Sequence, residues 1–158
     1  MIQASQNVTI RRANLADATY VAKHLRKADQ LELIRCGWAD FETALQQSVE
    51  VSPFAGCALK DGVPFCVFGV LPDDLLGSRA RVWLLGTPLI NSVKKTFVKY
   101  ARRFINETLG HYPVLYNAMD AQNKPARRLL EVLGATFGET VKMPSGAPFV
   151  LFEIRRNN

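Results

Sequence analysis

Two apolar, strand-like segments flank one long amphipathic segment, and no other feature restricts the fold of this chain as much. Ala80 to Thr87 contains Arg81-Val82-Trp83-Leu84-Leu85-Gly86-Thr87, a nearly continuous apolar run that suits a strand buried on both faces. Pro88 then ends the strand or sits at a bulge. From Asn91 to Leu109, Val93, Phe97, Ala101, Phe104, Ile105 and Thr108 share one helical face. Lys94, Lys95, Lys99, Arg102 and Arg103 lie largely elsewhere, and Gly110 is a good stop. Pro113 to Met119 is a second buried strand. Strand, helix and strand in this order make a crossover, which requires parallel neighbours and a right-handed connection. Val82 to Leu85 and Val114 to Asn117 are therefore predicted to lie side by side, in parallel, at the centre of a sheet.

The remaining segments point to antiparallel pairing around that centre. Val8 to Arg11 alternates as a short strand. Asn14 and Asp17 resemble a capping box before a helix carrying Leu15, Ala18, Val21, Ala22 and Leu25. A second helix is predicted from Asp40 to Val49. Phe54 to Leu59 and Val63 to Leu71 flank Lys60-Asp61-Gly62, a strong hairpin signal. Asn123 can cap a helix with Pro125 in its first turn and a stripe of Ala126, Leu129, Leu130 and Leu133, closed by Gly134. Thr136 to Val141 and Phe149 to Arg155 form a last strand pair. The order β-α-α-β-β-β-α-β-α-β-β predicts an α/β protein: a mixed, mostly antiparallel sheet with helices on both faces. At 158 residues it is expected to form one domain spanning 1–158.

Composition narrows the function classes. Hydrophobic residues make up 48% and charged residues 22%, which excludes a disordered chain, a collagen-like repeat and a coiled coil. No apolar run approaches the ~20 residues of a membrane span. Met1-Ile2-Gln3-Ala4-Ser5 has neither a basic start nor an apolar core, so no signal peptide and a cytoplasmic location are expected. Cys36, Cys57 and Cys66 lack metal-ligand spacing, and with His24 and His111 far apart no metal site is expected. The net charge of +6 suits an anionic partner: a nucleotide cofactor, nucleic acid or an acidic protein surface. Nucleic acid is the less expected of these, because aromatic interleaving on an exposed sheet face is lacking.

The element order and the segment Asn123-Lys124-Pro125-Ala126-Arg127-Arg128-Leu129-Leu130-Glu131-Val132-Leu133-Gly134-Ala135 resemble the GNAT (Gcn5-related) N-acyltransferase family. Asn123, Ala126 and Leu133-Gly134 match its motif, and Ala135 replaces its aromatic. A closer resemblance joins Trp83 to Pro88, Phe97, Arg102-Arg103, Tyr112 to Asn117, Asp120 to Asn123, Gly134 to Gly138 and Ala22 to Glu32. These segments are similar to the GNAT-like internal core (virion) protein A group of short-tailed, podovirus-type phages. The resemblance implies a GNAT-like fold with a central splayed parallel pair, opening around Gly86 and Asn117. It also implies a phage-encoded protein made in the host bacterial cytoplasm or packaged in the virion, with a phage or host protein as partner.

Acetyl-CoA is the cofactor that this resemblance implies. Leu84, Leu85 and Gly86 match the strand positions that pair with pantetheine, and Asn123 matches a side-chain contact to it; a plain helix cap is the other reading of Asn123. The family's glycine-rich pyrophosphate loop corresponds to Ile90-Asn91-Ser92-Val93-Lys94-Lys95-Thr96, which contains no glycine. There Lys94 and Lys95 either supply charge to phosphates at a helix start or form a solvated basic face. Leu130 occupies the position where the family often has an acidic Tyr, so Tyr116 is the substitute candidate. No carboxylate lies between Arg81 and Thr87, which leaves Glu32, with Asp29 and His24, as candidate bases. Two functions follow: acyl-CoA-dependent N-acyl transfer, or a catalytically silent fold reused for phage morphogenesis.

Overall fold

The computed structural model describes residues 7–157; the N-terminal segment considered above for a signal peptide lies outside the described residues. In chain order the elements are β1 (Val8–Arg12), α1 (Leu15–Lys23), α2 (Lys27–Arg35), α3 (Phe41–Val51), β2 (Phe54–Lys60), β3 (Val63–Pro72) and β4 (Arg79–Gly86). A 3-10 turn (Pro88–Val93) then leads into α4 (Lys94–Leu109), β5 (Val114–Asp120), α5 (Lys124–Val132), β6 (Thr136–Lys142) and β7 (Pro148–Arg155). The strands form one seven-stranded sheet in the order β1-β2-β3-β4-β5-β7-β6. Every neighbouring pair is antiparallel except β4 and β5.

Local chemistry explains much of this. Asn14 and Asp17 form a reciprocal capping box at the start of α1, with bonds of 2.8 and 2.9 Å. Asp61 and Gly62 both have positive φ, 49° and 80°, as the tight β2–β3 turn requires. Pro64 falls beside the register shift between Ala58 and Leu59, where its missing N–H breaks no regular ladder. On one face of the sheet, α1 and α3 enclose Val21, Leu45, Cys57 and Val67. On the other, Phe97 of α4 packs with Phe65 and Phe68, while Ile105 and Leu109 pack with Leu115, Phe152 and Ile154. Phe68 meets Phe104 edge-on at 4.9 Å, a geometry worth about 0.5–1.5 kcal/mol beyond its buried area.

The structure amends the sequence reading in three places. Between β1 and β2 there are three helices, not two, because Lys27–Arg35 forms α2. Its N-cap, Arg26, makes no side-chain cap bond, and it buries Asp29 along with Leu33, so its apolar period is masked. The helix predicted from Asn91 begins at Lys94, since Pro88–Val93 winds as 3-10 and buries Ile90 and Val93. The α5 stripe is half-buried rather than core: Ala126, Leu129, Leu130 and Leu133 all remain partly accessible.

Candidate functional site

Strands β4 and β5 pair in parallel only from Arg79 to Arg81 against Val114 to Tyr116. Beyond that, β4 stays with β3 and β5 stays with β7, so the two strands part towards their C-terminal ends. Asn117 closes the apex: its Nδ2 donates to the Val82 carbonyl at 2.8 Å. The opening is a cavity of about 420 Å³ that reaches both sheet faces. Trp83, Leu84, Leu85, Phe97, Leu129 and Leu130 make it mostly apolar, and Arg26, Asp29, Glu32 and Asn117 supply polar groups.

Helix α2 lies across the mouth and brings Asp29 and Glu32 to it, and the end of β5 adds Asp120. Asp29 is 2% exposed; its Oδ2 accepts from Arg26 Nε at 2.8 Å and from the Gly86 N–H at 2.9 Å. The Arg26 N–H in turn donates to the Gly86 carbonyl at 2.9 Å. Asp120, fully buried at the end of β5, is paired with Arg35 at 2.6 Å. Asn123 caps α5 by accepting the Ala126 N–H at 3.1 Å. Its Nδ2 donates to Glu32 Oε2 and, at 3.4 Å, to Asp29 Oδ1.

Electrostatics separate the roles of these acids. Asp29 and Asp120 each hold a guanidinium, whereas Glu32 holds no cation, accepting the Asn123 amide and a backbone bond from Asp120. Burial first, then the neighbouring Asp29 and Asp120 charges, push the Glu32 carboxyl up to about 7, against the opposing pull of the Asn123 bond. At neutral pH Glu32 is thus poised to accept or release a proton. Among the described residues it is the carboxylate of this cluster placed for proton transfer.

The other expected positions are dispersed. Gly86 packs so tightly that a Cβ there would sit 2.2 Å from Ile90 Cδ1, and both of its backbone polar groups are engaged by α2. Leu84 and Leu85 point to opposite faces, one packed with the α4 cluster and one with the α1–α3 cluster. Asn91, Ser92, Lys94 and Lys95 are exposed, and Val93 is buried at the N-cap position of α4, where no side chain caps the helix. Lys60 Nζ reaches Ser92 Oγ at 3.3 Å, adding a third cation beside Lys94 and Lys95. Tyr116 lies at the paired end of the strands, below the apex, and its hydroxyl donates to Asp73. His24 is exposed at the end of α1, its ring 4.5 Å from Tyr20. The structure therefore joins Glu32, Asp29 and Asn123, and leaves Tyr116 and His24 apart from them.

Sequence reasoning placed the opening at Asn117 but did not find Arg26, Arg35 or Asp120. Asp29 and Glu32, at i and i+3, share a helix face, which was a usable signal once α2 was recognised. Their partners at Gly86, Asp120 and Asn123 are remote in sequence.

Solved structures with this arrangement are numerous. An acetyltransferase of the GNAT family from Bacillus anthracis superposes with a TM-score of 0.72 at 11% identity, covering 98% of this chain and 97% of its own. The GNAT fold is this chain's fold. The aminoglycoside acetyltransferase AAC(6')-Ib, solved with coenzyme A, gives 0.67 at 19% identity and 95% coverage of both chains. The Salmonella typhimurium protein yncA, solved with its cofactor acetyl-CoA, gives 0.66 at 16%, covering 96% of this chain and 95% of its own. No protein-family model and no curated protein matches the chain. Within the GNAT fold, this chain has the opening between β4 and β5, the Asn123 cap on α5 and a glycine-free turn before α4.

Proposed function

We propose that this protein is a phage-encoded, acyl-CoA-dependent N-acyltransferase that uses acetyl-CoA. The observation that carries the reading is the apolar opening between β4 and β5, with a carboxyl poised near neutrality at its mouth. The residues present fit the cofactor: an apolar slot for pantetheine along Leu84 and Leu85, and Lys94, Lys95 and Lys60 for phosphate charge. Bound acetyl-CoA would supply a thioester carbonyl to the amine, the C–S bond breaking as the C–N bond forms and the coenzyme A thiol leaving with the second proton that the nitrogen gives up. Glu32 takes the proton that the acceptor ammonium must lose, which a carboxylate near 7 does efficiently at neutral pH. Asn123, itself held by Asp29, fixes the Glu32 side chain in place. Leu130 lines the wall as an apolar group and does not transfer a proton.

One observation favours the alternative, a silent GNAT fold acting through phage or host protein contacts. The Gly86 N–H and the Asn123 amide already have partners within the chain, so pantetheine must displace them. The phage origin, and with it the host cytoplasm or virion as location, rests on the sequence resemblance running from Trp83 to Pro88 and from Tyr112 to Asn117. No helix among the described residues is long and apolar enough to cross a membrane.

The test is acetyl-CoA-dependent acetylation of amines, followed as thiol release across pH. Glu32→Gln should lower kcat at least 100-fold and remove the rise in rate near pH 7. A rate and pH profile unchanged in Glu32→Gln would remove Glu32 from the chemistry.

A further inference from the structure

On the sheet face that carries α1 and α3, the helices cover β2 to β4 and leave the surface open towards β5 and β7. The register puts Arg79, Arg81, Tyr116 and Glu153 on that open surface, with Leu151 39% exposed beside them. Arg79 lies over the Tyr116 ring at 4.1 Å and Arg81 at 5.6 Å from its centroid. Two guanidiniums are thus gathered at one ring. Among the described residues neither has a carboxylate within ion-pair distance. The nearby acids are engaged: Asp73 accepts the Tyr116 hydroxyl, and Glu153 holds Arg155 at 2.8 Å. Arg81 also lines the cavity whose other end carries Asp29 and Glu32.

Two like charges held at one ring with no carboxylate within ion-pair distance repel, and an oxyanion between them reduces that cost while gaining charge-assisted hydrogen bonds. The cavity is therefore cationic at the Arg81 end and carboxylate-lined at the Glu32 end, with Trp83 and Leu85 between. Five residues of strand separate Arg81 from Gly86, or about 17 Å at most. We infer that Arg81, with Arg79, binds an oxyanion on the acceptor, remote from the amine that is acylated. The acceptor class is an amine carrying a carboxylate or phosphate about a short peptide's length away. Only the amine end of this assignment rests on the acyl-transfer reading.

Three C-terminally amidated tetrapeptides with free amino termini test it: Gly-Gly-Gly-Glu, Gly-Gly-Gly-phosphoserine and neutral Gly-Gly-Gly-Gln, titrated calorimetrically at low salt. The wild type should bind one or both acidic peptides about tenfold more tightly than the neutral one. The tighter of the two identifies carboxylate or phosphate as the group read. Arg81→Gln should shrink the preference and Arg79→Gln/Arg81→Gln abolish it, with melting temperature unchanged because both side chains are exposed. Equal binding of all three peptides, or a preference kept by the double variant, overturns the inference. Acetyl-CoA titrated in parallel separates the two ideas. Silence towards acetyl-CoA with the peptide preference intact sinks acyl transfer and supports the oxyanion site; acetyl-CoA binding without a peptide preference does the reverse.

Discussion

Burial of Glu32 beside Asp29 and Asp120 lifts its carboxyl to about 7, and this has a stability consequence opposite to its chemical use. The ordinary value is 4.5, so between 4.5 and about 7 the unfolded chain releases this proton while the folded chain keeps it. The folded state binds more protons in that window, and stability falls as pH rises through it. Glu32→Gln keeps a neutral side chain able to accept the Asn123 amide, so it should lose nothing over the same range. Discounted for partial exposure, the difference should reach about 2 kcal/mol above pH 7. Denaturant unfolding of both proteins at pH 4.5 and pH 8 measures it. The same change in stability between pH 4.5 and pH 8 in both proteins would show the carboxyl to be better solvated than the geometry implies. None of this was readable at Glu32 itself, because the burial and the Asp29 and Asp120 charges that raise its pKa arise only where α2 meets β5, and the opposing bond comes from the α5 cap.

Among the elements, α4 and its flanking strands were legible, because a long amphipathic segment between two apolar ones leaves one topology. The β2–β3 hairpin was legible from Asp61-Gly62. Helix α2 was not: it buries Asp29 beside a single apolar residue, Leu33, and it is held by bonds to Gly86, Asp120 and Asn123 rather than by a stripe. Helix α5 shows the opposite error. Its stripe has the right spacing for a core face, but the parting of β4 and β5 leaves that face over a cavity. Leu130→Ala should accordingly cost about 1 kcal/mol, well under the roughly 2–5 kcal/mol of a filled core site. A loss above about 2 kcal/mol in urea unfolding would return Leu130 to the core and close that wall of the cavity.

At the scale of the whole molecule, the net charge of +6 is distributed unevenly. Lys94, Lys95, Lys99, Arg102 and Arg103 are all exposed on α4, and among the described residues no ion pair neutralises them. Backbone glycines of the kind that usually surround a pyrophosphate are missing, so the proposed acetyl-CoA binding would draw most of its phosphate attraction from this charge and would weaken with salt. The cavity was foreseen only through the family resemblance, since its width is set by where the β4–β5 ladder stops. The most direct test is the melting temperature of wild type and Lys94→Glu/Lys95→Glu, with and without 1 mM acetyl-CoA at low salt. A dissociation constant of about 0.1 mM stabilises by about 1.4 kcal/mol, a rise of roughly 3–5 °C. The wild type should show that rise, and the double variant should lose most of it. Unchanged melting of the wild type in millimolar acetyl-CoA would contradict acyl transfer and leave a GNAT fold that works through protein contacts.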